Sequence, residues 1–591
     1  MISYTVTPEP RAHYWHVELA FDHYSDTEAV LELANWVPGS YMIRDLSRHI
    51  VEISARCNGF PAGLTQAAKN VWHTAPLAGR WQIRYTVYAY DLSVRTSFLT
   101  AERGFFDGAC LFFAVKGRLD EAQWLQLDKL PPDWKVATSL KRTGGNMTFL
   151  ADSYYGLIDH PVEMGHIEML AFEAEGIRHA VALSGHYADF DRERLCRDLA
   201  AICRTQLRMF SSPAPFREYL FILHVGDNLY GGLEHGDCCA LMADRGALPA
   251  MGVEEPSDAY VELLGLFSHE YFHAWNVKSV KPAAFIPYAL DSECYTELLW
   301  AFEGITSYYD DWFLLRAGVI GMEKYLDLLA RNVTAVQQGK GRLRQTLAES
   351  SFSAWHKFYK QDENASNAIA SYYRQGALAA LCLDLTIRQR SAGRCSLDDV
   401  MRRLYADWRR NQEGIGEGQW QSLCQKITGL DLADFFQTAL YSTQSLPLES
   451  CLAFAGIRLT WAHLGAGKGG YMKEVPARLP ILGDFGARFK QYADHAVITH
   501  VANGGSAENA GLCPQDKVVA VNGYACTRLE EDMGRLAPYD CAELHYFRQG
   551  VLRQAVLTMQ ASEADTAFLT VVDFEKCNAW LRCLGYGCQA V

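Results

Sequence analysis

The 591-residue sequence predicts a multidomain α+β protein. Three observations carry that expectation. Residues 1–175 break into short period-two segments such as HYWHVELAF and WQIRYTVYAY, separated by turn residues, which is the mark of half-buried antiparallel strands. The middle of the chain changes to helical periodicity, first in VELLGLFSHEYFHAW, and strand-like segments return beyond about residue 478. The length allows about three or four domains, each able to bury its own core.

Composition narrows the partners. With 49% apolar and 21% charged residues the chain is ordinary for a globular protein, and a formal charge of -14 argues against a nucleic-acid partner. No segment approaches the roughly 18 unbroken apolar residues of a membrane span. The opening MISYTVTPEPRAHYW lacks the basic start and apolar stretch of a secretory leader. Seventeen cysteines, odd in number and without a repeated C-x-x-C spacing, point to free thiols in a reducing cytoplasm. Cys238 with Cys239, and Cys577 with Cys583 and Cys588, are the groupings worth testing for metal. Idle thiols are the expectation there, because no histidine accompanies them.

The most specific chemistry lies in SHEYFHAWNVK, residues 268–278. His269 and His273 are four residues apart, so on a helix they share a face with Cβ atoms roughly 5–6 Å apart, a spacing that suits two imidazoles on one tetrahedral zinc ion. Glu270 falls about a quarter-turn away, where its carboxylate could take a proton from an activated water. Pro256, Ser257 and Asp258 supply the helix start. Two histidines do not close a catalytic zinc site, and the next helical segment, YTELLWAFEGITSYYDDWFLLRAG, offers Glu297 and Glu303 before ending at Gly318. Upstream, LYGGLEHGDCC follows the strand EYLFILHV. Gly231 and Gly232 would let backbone approach an extended peptide, and Glu234 could pair with a free α-ammonium.

The run HEYFHAWNVK followed by YTELLWAFEGITSYY resembles the glycyl aminopeptidase family of PDZ-containing zinc metallopeptidases, which is related to the aminopeptidase N group. The resemblance implies a thermolysin-like catalytic domain with zinc held by His269, His273 and Glu303, leaving Glu297 as the weaker alternative. It implies that Glu234, in a setting similar to the Gly-x-Met-Glu-Asn exopeptidase motif, reads the substrate's amino terminus. The segment ASYYRQGALAALCLDLTIR resembles the family's Tyr-x-x-Gly-Ala helix, which makes Tyr373 the oxyanion donor and turns Tyr372 elsewhere. The implied activity is zinc-dependent removal of N-terminal residues from peptides, with a preference for glycine or alanine. The rivals are a zinc endopeptidase, and a peptide-binding protein with a vestigial metal site.

The domains expected are an N-terminal β domain over 1–175, a catalytic domain over 176–395, a helical segment over 396–455, a PDZ-like domain over 478–560 and an extension over 561–591. In the first, WVPGSYMIRDLSRH carries a Pro38-Gly39 turn and reads as an Arg-Asp network of Arg44, Asp45 and Arg48 holding a loop, while Glu102 is a candidate contact at the active-site rim. The helical segment begins at SLDDVMRRLYADW, capped by Ser396. HAVITHVANGGSAENAGLCPQDKVVAVNGY resembles a PDZ domain, which implies binding of a peptide or protein C-terminus by strand addition, with FGARF, residues 485–489, as the carboxylate loop.

Overall fold

The computed structural model describes residues 1–582 apart from 146, 211, 212, 466 and 477. Cys583 and Cys588 lie outside the described residues. The chain divides into two compact units, one of Met1–Tyr295 with Leu404–Gly416, the other of Thr296–Arg403 with the described residues from Glu417 onward.

The first unit begins with the expected alternation. In Ile2–Glu9 the residues Ile2, Tyr4 and Val6 are buried, and in Tyr14–His23 Trp15, Val17, Leu19 and Phe21 are buried. These strands belong to an eight-stranded sheet whose neighbours pair antiparallel, except that Ile2–Glu9 runs parallel to Gln123–Leu127. Two four-stranded sheets accompany it, one of which pairs Arg103–Phe106 with Val162–Gly165. Across that pair the Arg103 guanidinium donates to both carboxylate oxygens of Glu163 at 2.7 Å, and both side chains are buried. A buried guanidinium stripped of its counter-ion costs far more than the pair contributes. Glu163→Ala is therefore expected to destabilise this unit by about 3–5 kcal/mol, read as a lowered denaturation midpoint.

A five-stranded mixed sheet follows, in the order Glu168–Ala174, Ile177–Gly185, Glu218–Gly226, Cys238–Asp244, Tyr230–Glu234. Its three central strands are parallel, so Ile177–Gly185 and Glu218–Gly226 need a crossover, which is helix Arg192–Phe210. Tyr230–Glu234 is an edge strand, antiparallel to Cys238–Asp244. Helix Asp258–Phe272 packs on these last two strands. Ser257 caps it, its hydroxyl accepting from the Tyr260 N–H at 3.1 Å, as the sequence signal predicts.

In the second unit the predicted glutamate helix is not α-helical throughout. Trp300–Gly304 is a π-helical turn closed by the Ile305 N–H on the Trp300 carbonyl, and a regular helix continues over Ile305–Arg316. Single π turns within helices occur frequently at functional sites. Gly318, at φ +72, follows the helix end as expected. Helix Arg374–Arg390 crosses this segment, and further helices surround both.

The C-terminal part has a core of its own. Strands Ala487–Gln491, Ala496–Val501, Lys517–Val521, Cys541–Arg548 and Val551–Thr558 form one antiparallel sheet over Ile498, Val518, Leu544 and Leu557. The chain then returns as Thr566–Val571, which lies between Ile457–Ala462 and Gly470–Tyr471 in a separate three-stranded sheet. All the described cysteines are free. Cys238 and Cys239 are buried strand residues whose thiols burial pushes upward. Cys577 is also buried, with its sulfur 3.7 Å from that of Met322, and no metal-binding group of histidine, cysteine, aspartate and glutamate side chains among the described residues includes it.

Candidate active site

The first unit brings Glu234, Glu270, His269 and His273 together. The helix ends at Phe272 with His273 as its C-cap, and the two imidazoles meet edge to face with centroids 4.7 Å apart. His273 Nδ1 lies 2.8 Å from the carbonyl oxygen of Asn276. A carbonyl can only accept, so Nδ1 carries the proton and Nε2 keeps its lone pair, the tautomer a metal ligand needs. Potential ligand atoms of Glu234, Glu270 and His273 all lie within 4.8 Å of one another, and all three residues are buried.

Two glycines set these carboxylates against backbone. A Cβ on Gly232 would stand 1.9 Å from Glu270 Oε1, so the glycine leaves the acid room to rest against the edge strand in this position. Gly231 has no such constraint, its nearest neighbour being Arg95 Nη1 at 3.6 Å. Arg95 instead holds the strand by donating from Nη2 to the Gly232 carbonyl at 2.6 Å. The second glycine is one that the sequence reading left out of the site. Gly39, at φ +92, has the Glu234 carboxylate against it, and a Cβ there would meet Glu234 Oε2 at 2.6 Å. The Pro38-Gly39 turn is visible in the sequence, but its partner lies far along the chain.

In the loop carrying that turn, Asp45 pairs with Lys69 at 2.5 Å, Arg44 donates to Ser40 Oγ, and Arg48 donates to His49. Glu102 is exposed and paired with His186 at 2.9 Å, a solvated surface contact. A further network joins the turn after Glu234 to the loop after the histidine helix. Asp159 accepts from Lys278 Nζ at 2.5 Å and from the Gly236 N–H at 3.1 Å, with His235 Nδ1 at 3.3 Å. Against the cost of burial, Lys278 and then His235 hold the Asp159 carboxyl far below its ordinary range.

The second unit carries Glu303 and Tyr373. Glu303 is buried in the π turn. A Cβ on Gly304 would fall 2.6 Å from both Gly376 Cα and the Tyr372 carbonyl oxygen, and one on Gly376 would fall 2.8 Å from Gly304 Cα. The helices thus cross in backbone contact at Gly304 and Gly376, the glycines of the Glu-Gly and Tyr-x-x-Gly motifs, and Tyr372 and Tyr373 flank the crossing. Tyr372 is wholly buried; burial first, then Tyr359 and Glu303, push its hydroxyl well above the ordinary range. Tyr373 is half-buried, with its hydroxyl 3.3 Å from that of Tyr359. Glu297 sits beside Glu417, whose carboxylate accepts from the Glu297 N–H, and burial and then that neighbour raise the Glu297 carboxyl.

Residues 3–166 match the Peptidase M61 N-terminal domain, residues 262–379 match M61 glycyl aminopeptidase, and residues 477–537 match the PDZ domain. A crystal structure of an aminopeptidase N family protein from Idiomarina loihiensis is 38% identical, with a TM-score of 0.94 over 98% of this chain and 100% of that one. A far weaker likeness, 14% identical with a TM-score of 0.47 over 76% of this chain and 94% of that one, is to an M1 zinc metallopeptidase from Deinococcus radiodurans. No curated protein matches. The protein is a metallopeptidase, built of an N-terminal β domain, a catalytic region and a PDZ domain. It belongs to the M61 glycyl aminopeptidase family.

Proposed function

We propose that this chain is a zinc-dependent aminopeptidase in which His269, His273 and Glu303 hold the metal. The observation that carries the proposal is the contact of His273 Nδ1 with the Asn276 carbonyl, which keeps the lone pair on Nε2, with the Glu270 carboxylate seated against Gly232 on the neighbouring strand. Two imidazoles and a carboxylate are a donor set that zinc accepts. Bound zinc supplies a Lewis acid that polarises the scissile carbonyl and makes water more acidic.

The remaining work falls to the chain's own side chains. Glu270 takes the proton from the attacking water and returns it to the leaving amine. Tyr373 donates its hydroxyl hydrogen bond to the oxyanion of the tetrahedral adduct. Glu234 accepts from the substrate's α-ammonium, and the edge strand at Gly231 and Gly232 aligns the extended backbone. The burial of Glu234 supports this assignment, since a buried carboxylate gains most from a cationic partner. A preference for glycine or alanine at the substrate terminus rests on the family alone. Comparing a free peptide with its N-acetylated twin tests the assignment. The acetylated form is expected to be cleaved at least tenfold more slowly, and Glu234→Gln is expected to erase most of that difference. Equal cleavage of the two forms would establish the endopeptidase instead.

The PDZ domain is proposed to take an extended peptide or a C-terminus at its sheet edge. In its loop 485–489 the Gly486 N–H already donates to the Asp484 carboxylate at 2.9 Å, so a ligand carboxylate would have to displace that acid. A reducing, cytoplasmic setting is supported by the free thiols of the described cysteines. No helix among the described residues is long and apolar enough to cross a membrane.

A further inference from the structure

Beside Glu234 the first unit contains a cavity of about 210 Å³. His235 and Gly236, the residues that follow Glu234, line one side, and Val37 and Pro38, which precede the glycine under the Glu234 carboxylate, line another. Lys281 and Tyr288 complete it. Glu234 itself does not line the cavity, but its charge acts on Lys278, Lys281 and Tyr288, which do.

Most of the charges in this cavity face an opposite charge. Lys278 is bound to Asp159 at 2.5 Å. Asp107 faces His235, with the Asp107 Oδ2 and His235 Nε2 atoms 4.0 Å apart, and burial raises the Asp107 carboxyl to about 6 while His235 opposes the rise. Lys281 has no carboxylate within ion-pair distance among the described residues, and its ammonium lies over the Tyr288 ring, 5.5 Å from the centroid. Burial and then the charge of Lys278 lower its ammonium to about 8. Lys281 is partly buried and feels Asp159 and Glu234 only at longer range, so a carboxylate entering the cavity would give it a direct ion pair.

We propose that this cavity is the subsite for the first side chain of the substrate, and that Lys281 makes it accept an acidic one, glutamyl or aspartyl. The proposal rests on the reading of Glu234 as the holder of the α-ammonium, and it goes beyond the family's small-residue preference. A glycine or alanine terminus leaves the cavity to solvent; an acidic terminus fills it and pairs with Lys281, while the α-ammonium reaches Glu234.

The test uses the full-length, metal-loaded protein and two readouts. Titration calorimetry with the product amino acids is expected to show L-glutamate binding at least tenfold more tightly than L-alanine. Lys281→Met should shrink that ratio to within twofold, and Lys281→Arg should keep most of it. In parallel, the ratio of glutamyl to alanyl 4-nitroanilide turnover should fall at least tenfold in Lys281→Met. Equal affinity for the two amino acids in the unaltered protein overturns the proposal, as does a parallel loss for both in Lys281→Met. Glu234→Gln separates the two readings: if it leaves the discrimination between free and acetylated peptides intact, the ammonium assignment fails whatever Lys281 does.

Discussion

Glu270→Gln is expected to lower kcat by about 10²–10⁴, the usual contribution of a general base, while the protein still binds one equivalent of metal. The reasoning is steric as well as chemical. Glutamine has nearly the shape of glutamate, so it fits the narrow space between the histidine helix and Gly232, where a Cβ would be 1.9 Å from the acid. What it loses is the ability to accept and return a proton. Metal content by elemental analysis, with turnover of an aminoacyl reporter, separates the roles of ligand and base. Full turnover in the variant would remove Glu270 from the mechanism. Loss of metal together with activity would make it a ligand.

Tyr373→Phe should cost about 10²–10³ in kcat and leave KM within a few-fold, because its donor acts on charge that develops only in the transition state. The structure makes Tyr372→Phe a useful control. Tyr372 is wholly buried beside the Gly304 and Gly376 crossing, whereas Tyr373 is half-buried with its hydroxyl near that of Tyr359. Single-turnover rates for both variants should fall much further for Tyr373 than for Tyr372. The reverse order would move the oxyanion role by one residue.

The parts of the site with a local period were legible in the sequence. The four-residue spacing of His269 and His273 needs only a helix, and the Ser257 cap announces one. The alternation in Ile2–Glu9 and Tyr14–His23 likewise fixes which side chains face inward. What escaped were contacts between distant segments. Nothing near Gly39 reveals that the Glu234 carboxylate will rest on it, and nothing in NVK shows that Lys278 will reach Asp159. The π turn at Glu303 was hidden for a different reason. Apolar periodicity does not distinguish a helix with one inserted residue from a regular one, and Trp300–Gly304 is buried all round.

The returning strand Thr566–Val571 means that the PDZ domain is an insertion rather than an appendage. Its entry and exit are stitched side by side into one small sheet, where Ile457 faces Val571 and Ala462 faces Thr566. That strand is wholly buried, the Ala567 N–H donates to Thr334 on helix Met322–Gln338, and Trp580 stacks on Trp312 of the helix that continues from Glu303. A chain cut after residue 562 would therefore lose the middle strand of this sheet and bare the flank of the glutamate helix, so removing the tail should soften the catalytic half before it frees the PDZ domain.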